Sequence, residues 1–172
     1  MTGGWRRVGA VDVHYPPAGG ARAALVVADD PRFNHVVEEH STWLSNVRPY
    51  QPGRFFEREL PAIEAVLAMT APVDLLIIDG YVDLDPQGRA GLGAHVHAAV
   101  GIPVIGVAKT AFRPATHAVA VHRGSATRPL YVTAAGLAPT EAATLVGDMA
   151  GRFRLPDALR RVDALARDTQ AP

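Results

Sequence analysis

Residues 73–109 read VDLLIIDGYVDLDPQGRAGLGAHVHAAVGIPVIGVAK, and the fold turns on how this stretch is divided. It opens with an apolar run, Val73 to Ile78, that ends on Asp79-Gly80, and closes with a second run, Pro103 to Ala108, that ends on Lys109. Short runs rich in Val and Ile, separated by a helix-length segment, predict two parallel strands joined by a crossover helix. Ligands of open α/β sheets bind beyond the carboxyl ends of the strands. Asp79 and Lys109 are therefore expected side by side where chemistry would take place.

Outward from that unit, residues 8–15 (VGAVDVHY) predict a strand interrupted by Asp12. Pro16-Pro17-Ala18-Gly19-Gly20 predicts a turn, and residues 21–28 (ARAALVVA) its hairpin partner. Residues 33–40 suit a third strand and 41–53 a loop, within which two prolines stiffen the segment around Tyr50. A helix is expected from Glu59-Leu60-Pro61 to Thr70, with Pro61 in its first turn and Ile63, Val66 and Leu67 at helical spacing. A second hairpin is expected over 118–121 and 129–133, then helices over 140–153, with Thr140 as N-cap, and over 156–167. This order describes a mixed β-sheet flanked by helices, an α/β chain of ribonuclease H-like architecture.

The 172 residues predict one domain spanning 1–172. Lys plus Arg equals Asp plus Glu at 17 each, which argues against a strongly basic, non-specific nucleic-acid binder and leaves room for a local basic face. There is no cysteine, so disulfides, thiolate metal sites and a cysteine nucleophile are excluded. No apolar run is long enough to cross a membrane and no signal-peptide core precedes residue 15, so a cytoplasmic location without membrane contact is expected.

Three carboxylates stand out. Asp12 lies inside an apolar strand, Glu59 at a helix entrance and Asp79 at the end of a fully apolar strand. Singly, each has an ordinary reading: an outward strand residue, a helix-dipole partner, an Asp-Gly turn. Brought together they would repel one another unless a cation joined them. Hard cations such as Mg²⁺ use a few carboxylates with water and substrate phosphate, and Lys109 would add positive charge at a phosphate. The seven histidines show no zinc-site spacing. His95 is expected at the ligand-facing start of the crossover helix, and Arg113, Arg123 and Arg128 at the rim of the site, each equally readable as a solvated loop arginine.

The pieces VDVHY (11–15), PYQPG (49–53), RELP (58–61), DG (79–80), GLGAH (91–95), IGVAK (105–109), RPLYV (128–132) and RLPD (154–157) resemble, in order and spacing, the motifs of endonuclease V. The resemblance runs from Val8 to about Asp168 and suggests a divergent, short member. It implies a metal-dependent endonuclease, using Mg²⁺ or Mn²⁺, that acts as a monomer on DNA or RNA containing a deaminated base. Inosine (hypoxanthine) is the expected lesion, with the cut at the second phosphodiester on its 3′ side. Asp12, Glu59 and Asp79 would be the metal carboxylates, and Lys109 the fourth catalytic residue. Pro49, Tyr50, Pro52 and Gly53 would form a stiff wedge that fills the place of the displaced base. Gly80, Tyr81, Asp85, Gly91 and His95 would contact substrate.

The chain also departs from that pattern. The family's Asp-Gly-Asn-Gly-x-x-His-Pro stands here as Asp79-Gly80-Tyr81-Val82-Asp83-Leu84-Asp85-Pro86, so Asp85 takes the place of a histidine. A second family histidine falls near Gly136, and the phenylalanine before Arg-Glu is Glu57. Two other readings accordingly stay open: a nucleic-acid-binding protein of this fold with weakened or lost cleavage, and a nuclease of altered substrate.

Overall fold

A computed structural model describes residues 4–54 and 56–168. In chain order the elements are β1 (Val8–His14), β2 (Ala21–Ala28), β3 (Val36–Leu44), α1 (Phe56–Leu67), β4 (Leu75–Asp79), α2 (Leu92–Val100), β5 (Val104–Ala108), β6 (Val119–Val121), β7 (Leu130–Ala135), α3 (Pro139–Asp148) and α4 (Asp157–Arg167). The strands form one mixed sheet of seven in the order β3-β2-β1-β4-β5-β7-β6. Its centre, β1-β4-β5, is parallel, and both flanks are antiparallel. The ribonuclease H-like arrangement expected from residues 73–109 is thus present, with β4 and β5 paired in register from Leu76↔Val104 to Asp79↔Val107.

Strand side chains alternate between faces, and the core divides accordingly. One cluster gathers Val8, Ala10, Leu75, Ile77, Ile105 and Val107 under α3 and α4, through Ala142, Val146, Leu159 and Val162. The other gathers Val11, Leu25, Val27, Leu76 and Ile78 under α1 and α2, through Ala62, Ile63, Val66 and Val96. Burying both faces is what makes the central runs read as continuously apolar rather than alternating.

Several boundaries differ from the sequence reading, each for a physical reason. β3 begins at Val36 and runs on to Leu44, through residues expected to be loop, because it pairs with the full length of β2 from Ala28↔Val36 to Ala21↔Leu44. Phe33 instead sits in a turn at φ +56°, where Asp30 accepts the backbone N–H groups of Arg32 and Asn34. α1 starts at Phe56, so Pro61 lies inside the helix rather than in its first turn. α3 starts one residue before Thr140, with Ala138 at the N-cap, and stops at Asp148. Among the described residues no helix is long and apolar enough to cross a membrane.

Candidate active site

The β1–β4 ladder ends at the pair Val11↔Ile78, so the next residues, Asp12 and Asp79, stand side by side just beyond it, Asp12 still paired with Ala24 of β2 and Asp79 with Val107 of β5. Alternation puts Asp12 on the face of Val8 and Ala10, Asp79 on that of Leu75 and Ile77, and Lys109 on that of Ile105 and Val107. All three therefore project toward the face that α4 covers. Lys109 Nζ lies 3.2 Å from Asp79 Oδ2, with both side chains more than two-fifths exposed. Glu59 comes from α1 on the opposite face and is 7% exposed. Together with Tyr15, Asp163 and Arg167, these residues line an open cleft of about 550 Å³ at the strand ends.

Asp163 is the member that reading the sequence missed. It follows Val162 on α4, one helical step beyond the buried stripe of Ala158, Leu159, Val162 and Ala166. A carboxylate on the edge of such a stripe was the available signal, but nothing local tells which sheet end the helix crosses.

The carboxylates perturb one another. Burial, then the charge of Asp79 and the hydrogen bond with Asp163, push the Asp12 carboxyl up to about 7. Burial and then the charge of Asp12 push Glu59 up to about 8, against a hydrogen bond with Tyr15 and the charge of Arg58. Burial also raises Asp163, but its hydrogen bonds with Arg167 and Asp12 and the charges of Arg167 and Lys109 outweigh that and hold it low. A proton between Asp12 and Asp163 accordingly rests on Asp12. The Tyr15 phenol is raised by burial and by Glu59, and its ring carries the Arg58 guanidinium at 3.7 Å.

Among the described residues no three Asp, Glu or His side chains stand close enough to one another to hold a metal ion, and Asp79 is turned to Lys109. The chemistry of the donor set nonetheless fits a hard cation. It offers only oxygen ligands, and burial and mutual repulsion disfavour two of them as anions, so a cation would replace the protons they otherwise keep.

The remaining expected residues do not line the cleft. Pro49, Tyr50, Pro52 and Gly53 form an exposed turn between β3 and α1, with Tyr50 59% exposed. The Arg54 N–H donates to the Gln51 carbonyl at 3.0 Å and Gly53 has φ +78°, the geometry of a type II turn with Pro52 at its second position. Glu57 pairs with Arg54 at 2.7 Å and Arg48 at 3.7 Å, so the residue that replaces the family phenylalanine braces both arms of this turn. After β4, Gly80 turns at φ +126°, and the loop crosses β5 at Gly106. A Cβ there would stand 2.5 Å from the Gly80 carbonyl oxygen. Thr133 Oγ1 accepts the buried Val82 N–H at 2.8 Å and fixes the loop. The Tyr81 hydroxyl donates to the Thr110 carbonyl at 2.7 Å and accepts the Phe112 N–H at 3.0 Å, tying this loop to the one after β5.

Asp85 is engaged within its own loop. Its Oδ1 accepts the N–H groups of Gln87 and Arg89, 3.0 Å each, and Oδ2 faces Arg89 at 3.6 Å. Gly91 lets α2 close on the Tyr81 and Val82 carbonyls, which accept the N–H groups of Gly93, Gly91 and Ala94. His95 stacks on Phe56 at 3.6 Å and joins α2 to α1, while His97 Nδ1 lies 2.6 Å from the Ile102 carbonyl oxygen. At Gly136, φ +81°, a Cβ would stand 3.1 Å from Pro103 and the His97 ring, a tight fit in a left-handed conformation that favours glycine. Arg123 was expected at the site rim. It is instead 5% exposed and donates to the carbonyls of Phe153 and Gly151, holding the turn between α3 and α4. Arg113 and Arg128 are exposed.

Comparison with known proteins bears on the same residues. The Endonuclease V family model matches residues 2–134, a span that includes Asp12, Glu59, Asp79 and Lys109 and ends before Asp163. The endonuclease V of Streptomyces coelicolor is 33% identical over 187 residues, covering 95% of this chain and 79% of its own length. The crystal structure of the Streptomyces avermitilis endonuclease V superposes with a TM-score of 0.80 at 28% identity, over 95% of this chain and 81% of that one. A crystal structure of the Ciona intestinalis endonuclease V, in complex with a 23-mer DNA containing an inosine, gives 0.81 at 19% identity, over 95% and 84%.

Proposed function

The chain belongs to the endonuclease V family, and from that premise we propose that it is a Mg²⁺- or Mn²⁺-dependent endonuclease that hydrolyses a phosphodiester 3′ to a deaminated base, inosine above all, in DNA or RNA. The observation that carries the reading is the convergence of Asp12, Glu59, Asp79 and Asp163, from two strands and two helices far apart in sequence, on one cleft that also holds Lys109. The inosine-containing DNA bound by the Ciona protein supports the choice of lesion.

Asp12, Glu59 and Asp79 would hold the cation, with Asp163 beside them. When bound, a divalent cation supplies Lewis acidity at the phosphoryl oxygen and lowers the pKa of water. The chain's own groups do the rest. Lys109 presents Nζ at the cleft mouth, where its charge opposes the negative charge that develops on phosphate. Asp12, raised to about 7, is about half protonated near neutral pH, and where a cation is held it would be the carboxylate form of Asp12 that meets it, beside an Asp163 already held ionised. The Arg58 guanidinium, over the Tyr15 ring at 3.7 Å, places positive charge beside Glu59. The exposed Pro49–Gly53 turn would act as the wedge, its shape set by Pro52, Gly53 and the Glu57 brace.

One observation favours a second reading, a nuclease of altered substrate: Tyr81 and Asp85, where the family carries asparagine and histidine, are engaged in ordering the loop. Single- and double-stranded oligonucleotides, DNA and RNA, each with one inosine or guanosine at the same place, test both readings when incubated with Mg²⁺ or Mn²⁺. Cleavage confined to the inosine strands is expected. Equal cleavage of the guanosine controls would select the altered-substrate reading, and binding to inosine without cleavage would leave a binding protein.

A further inference from the structure

The turn between α3 and α4 builds a second surface. Phe153 is exposed at 46%, with the Arg152 guanidinium 5.1 Å from its ring centroid and the Arg160 guanidinium 4.5 Å from it. Among the described residues neither guanidinium forms an ion pair or a hydrogen bond. The Phe153 ring serves both guanidiniums by cation–π attraction. A guanidinium held by its flat face keeps its N–H edge outward, which is the edge that binds a phosphate in two-pronged fashion.

The three side chains line an open groove of about 450 Å³, together with Ser125 and Leu155. Leu155 also lines the inner wall shared by Asp12, Asp79, Lys109 and Asp163. Arg154, which also lines the groove, donates to the carbonyl of Lys109 and, at 2.9 Å, to that of Pro129. On α4, Arg160 stands three residues before Asp163, so their Cβ atoms are roughly 5–6 Å apart on one side of the helix.

We propose that Arg152 and Arg160, held on Phe153, form a phosphate clamp for the nucleic-acid strand that leaves the catalytic cleft over Leu155. The proposal rests on the nuclease reading above for its ligand. The clamp grips phosphate and reads no base, and it engages the strand within about two nucleotides of the cut, given the spacing of phosphates along one strand. Its charge is local, consistent with a chain whose net charge is zero.

The test is binding without chemistry. Fluorescence anisotropy of the full chain with a labelled single-stranded oligonucleotide is measured in EDTA over a series of salt concentrations. The R152Q/R160Q double variant is expected to bind about tenfold more weakly, with a salt slope shallower by about 1.4, from two lost phosphate contacts at ~0.7 each. F153L keeps both charges but frees them, and is expected to weaken binding while leaving the slope unchanged. A walk of single neutral methylphosphonate linkages along the strand should cost wild type affinity at the gripped position and cost R152Q/R160Q nothing there. Wild-type binding that R152Q/R160Q matches in affinity and slope overturns the clamp and leaves the nuclease reading standing. Failure of wild type to bind any strand in EDTA overturns the clamp, and failure to bind or cleave any strand with Mg²⁺ or Mn²⁺ overturns the nuclease reading itself.

Discussion

At the scale of the residue, the cleft is costly to assemble. Asp12 is raised from 3.8 to about 7 and Glu59 from 4.5 to about 8. A carboxyl raised on folding stabilises the fold fully below its unfolded value, and that contribution disappears as pH rises through the folded value. At pH 8, without divalent cation, ionised Asp12 and half-ionised Glu59 therefore work against the fold. Asp12→Asn and Glu59→Gln should each raise the melting temperature there, by roughly 1–3 kcal/mol of stability, while abolishing cleavage. Thermal melts at pH 8 in EDTA check this; a fall in melting temperature for both would show that these carboxylates do not repel one another. Asp163→Asn should cut the cleavage rate by about 10- to 100-fold, the usual effect of losing a group that orients such a site. Single-turnover kinetics with Mn²⁺ measure it, and an unchanged rate would remove Asp163 from the site.

At the scale of the element, the loop after β4 is positioned by two residues on other strands. Gly106 has no space for a Cβ beneath the Gly80 carbonyl, and Thr133 supplies the one side-chain acceptor for the Val82 N–H. Thr133→Val, nearly the same shape, should cost about 1–3 kcal/mol by leaving that buried N–H unpaired; urea denaturation checks it, and a loss below a few tenths would mean the loop is held by packing alone. The central βαβ unit, the β1–β2 hairpin and the place of Asp12, Asp79 and Lys109 were legible in the sequence, because continuous apolar runs and their abrupt ends are local signals. The end of β3 was not, because residues 41–44 become a strand only through pairing with β2. Pro61 misplaced the start of α1 for a similar reason: a proline tolerated inside the helix was taken for its first turn. Asp163 was hidden because which helix crosses which strand end is decided by packing. Arg123, read as a rim cation, was claimed by the carbonyls of a turn that the sequence had assigned to helix.

At the scale of the whole molecule, two opposing titrations shape stability. Hydrogen bonds from Thr70, then His40 and Arg7, hold the Glu38 carboxyl down at about 2, from 4.5. This carboxylate ties the β3 edge strand to the entrance of β1, through Arg7 at 3.0 Å, and to the end of α1, through the Thr70 hydroxyl. Its contribution is present above pH 4.5 and is lost as pH falls through 2, while that of Asp12 and Glu59 is lost as pH rises through 7 to 8. The melting temperature in EDTA should therefore peak in acid solution, around pH 4, and fall from there toward pH 8. Divalent cation should lift the alkaline limb selectively, since it binds only the ionised cleft. A profile flat from pH 5 to 8, unmoved by Mn²⁺, would contradict the assignment of the cleft as a cation site.

The most direct measurement maps the cut itself. An end-labelled strand with one inosine at a known position is incubated with Mg²⁺ or Mn²⁺, and the product is sized against a ladder of the same sequence. The account predicts one product, ending at the second phosphodiester on the 3′ side of the inosine, absent when guanosine replaces inosine and absent with Asp79→Ala. Cuts scattered along the strand without regard to the inosine, or a product that persists in Asp79→Ala, would contradict it.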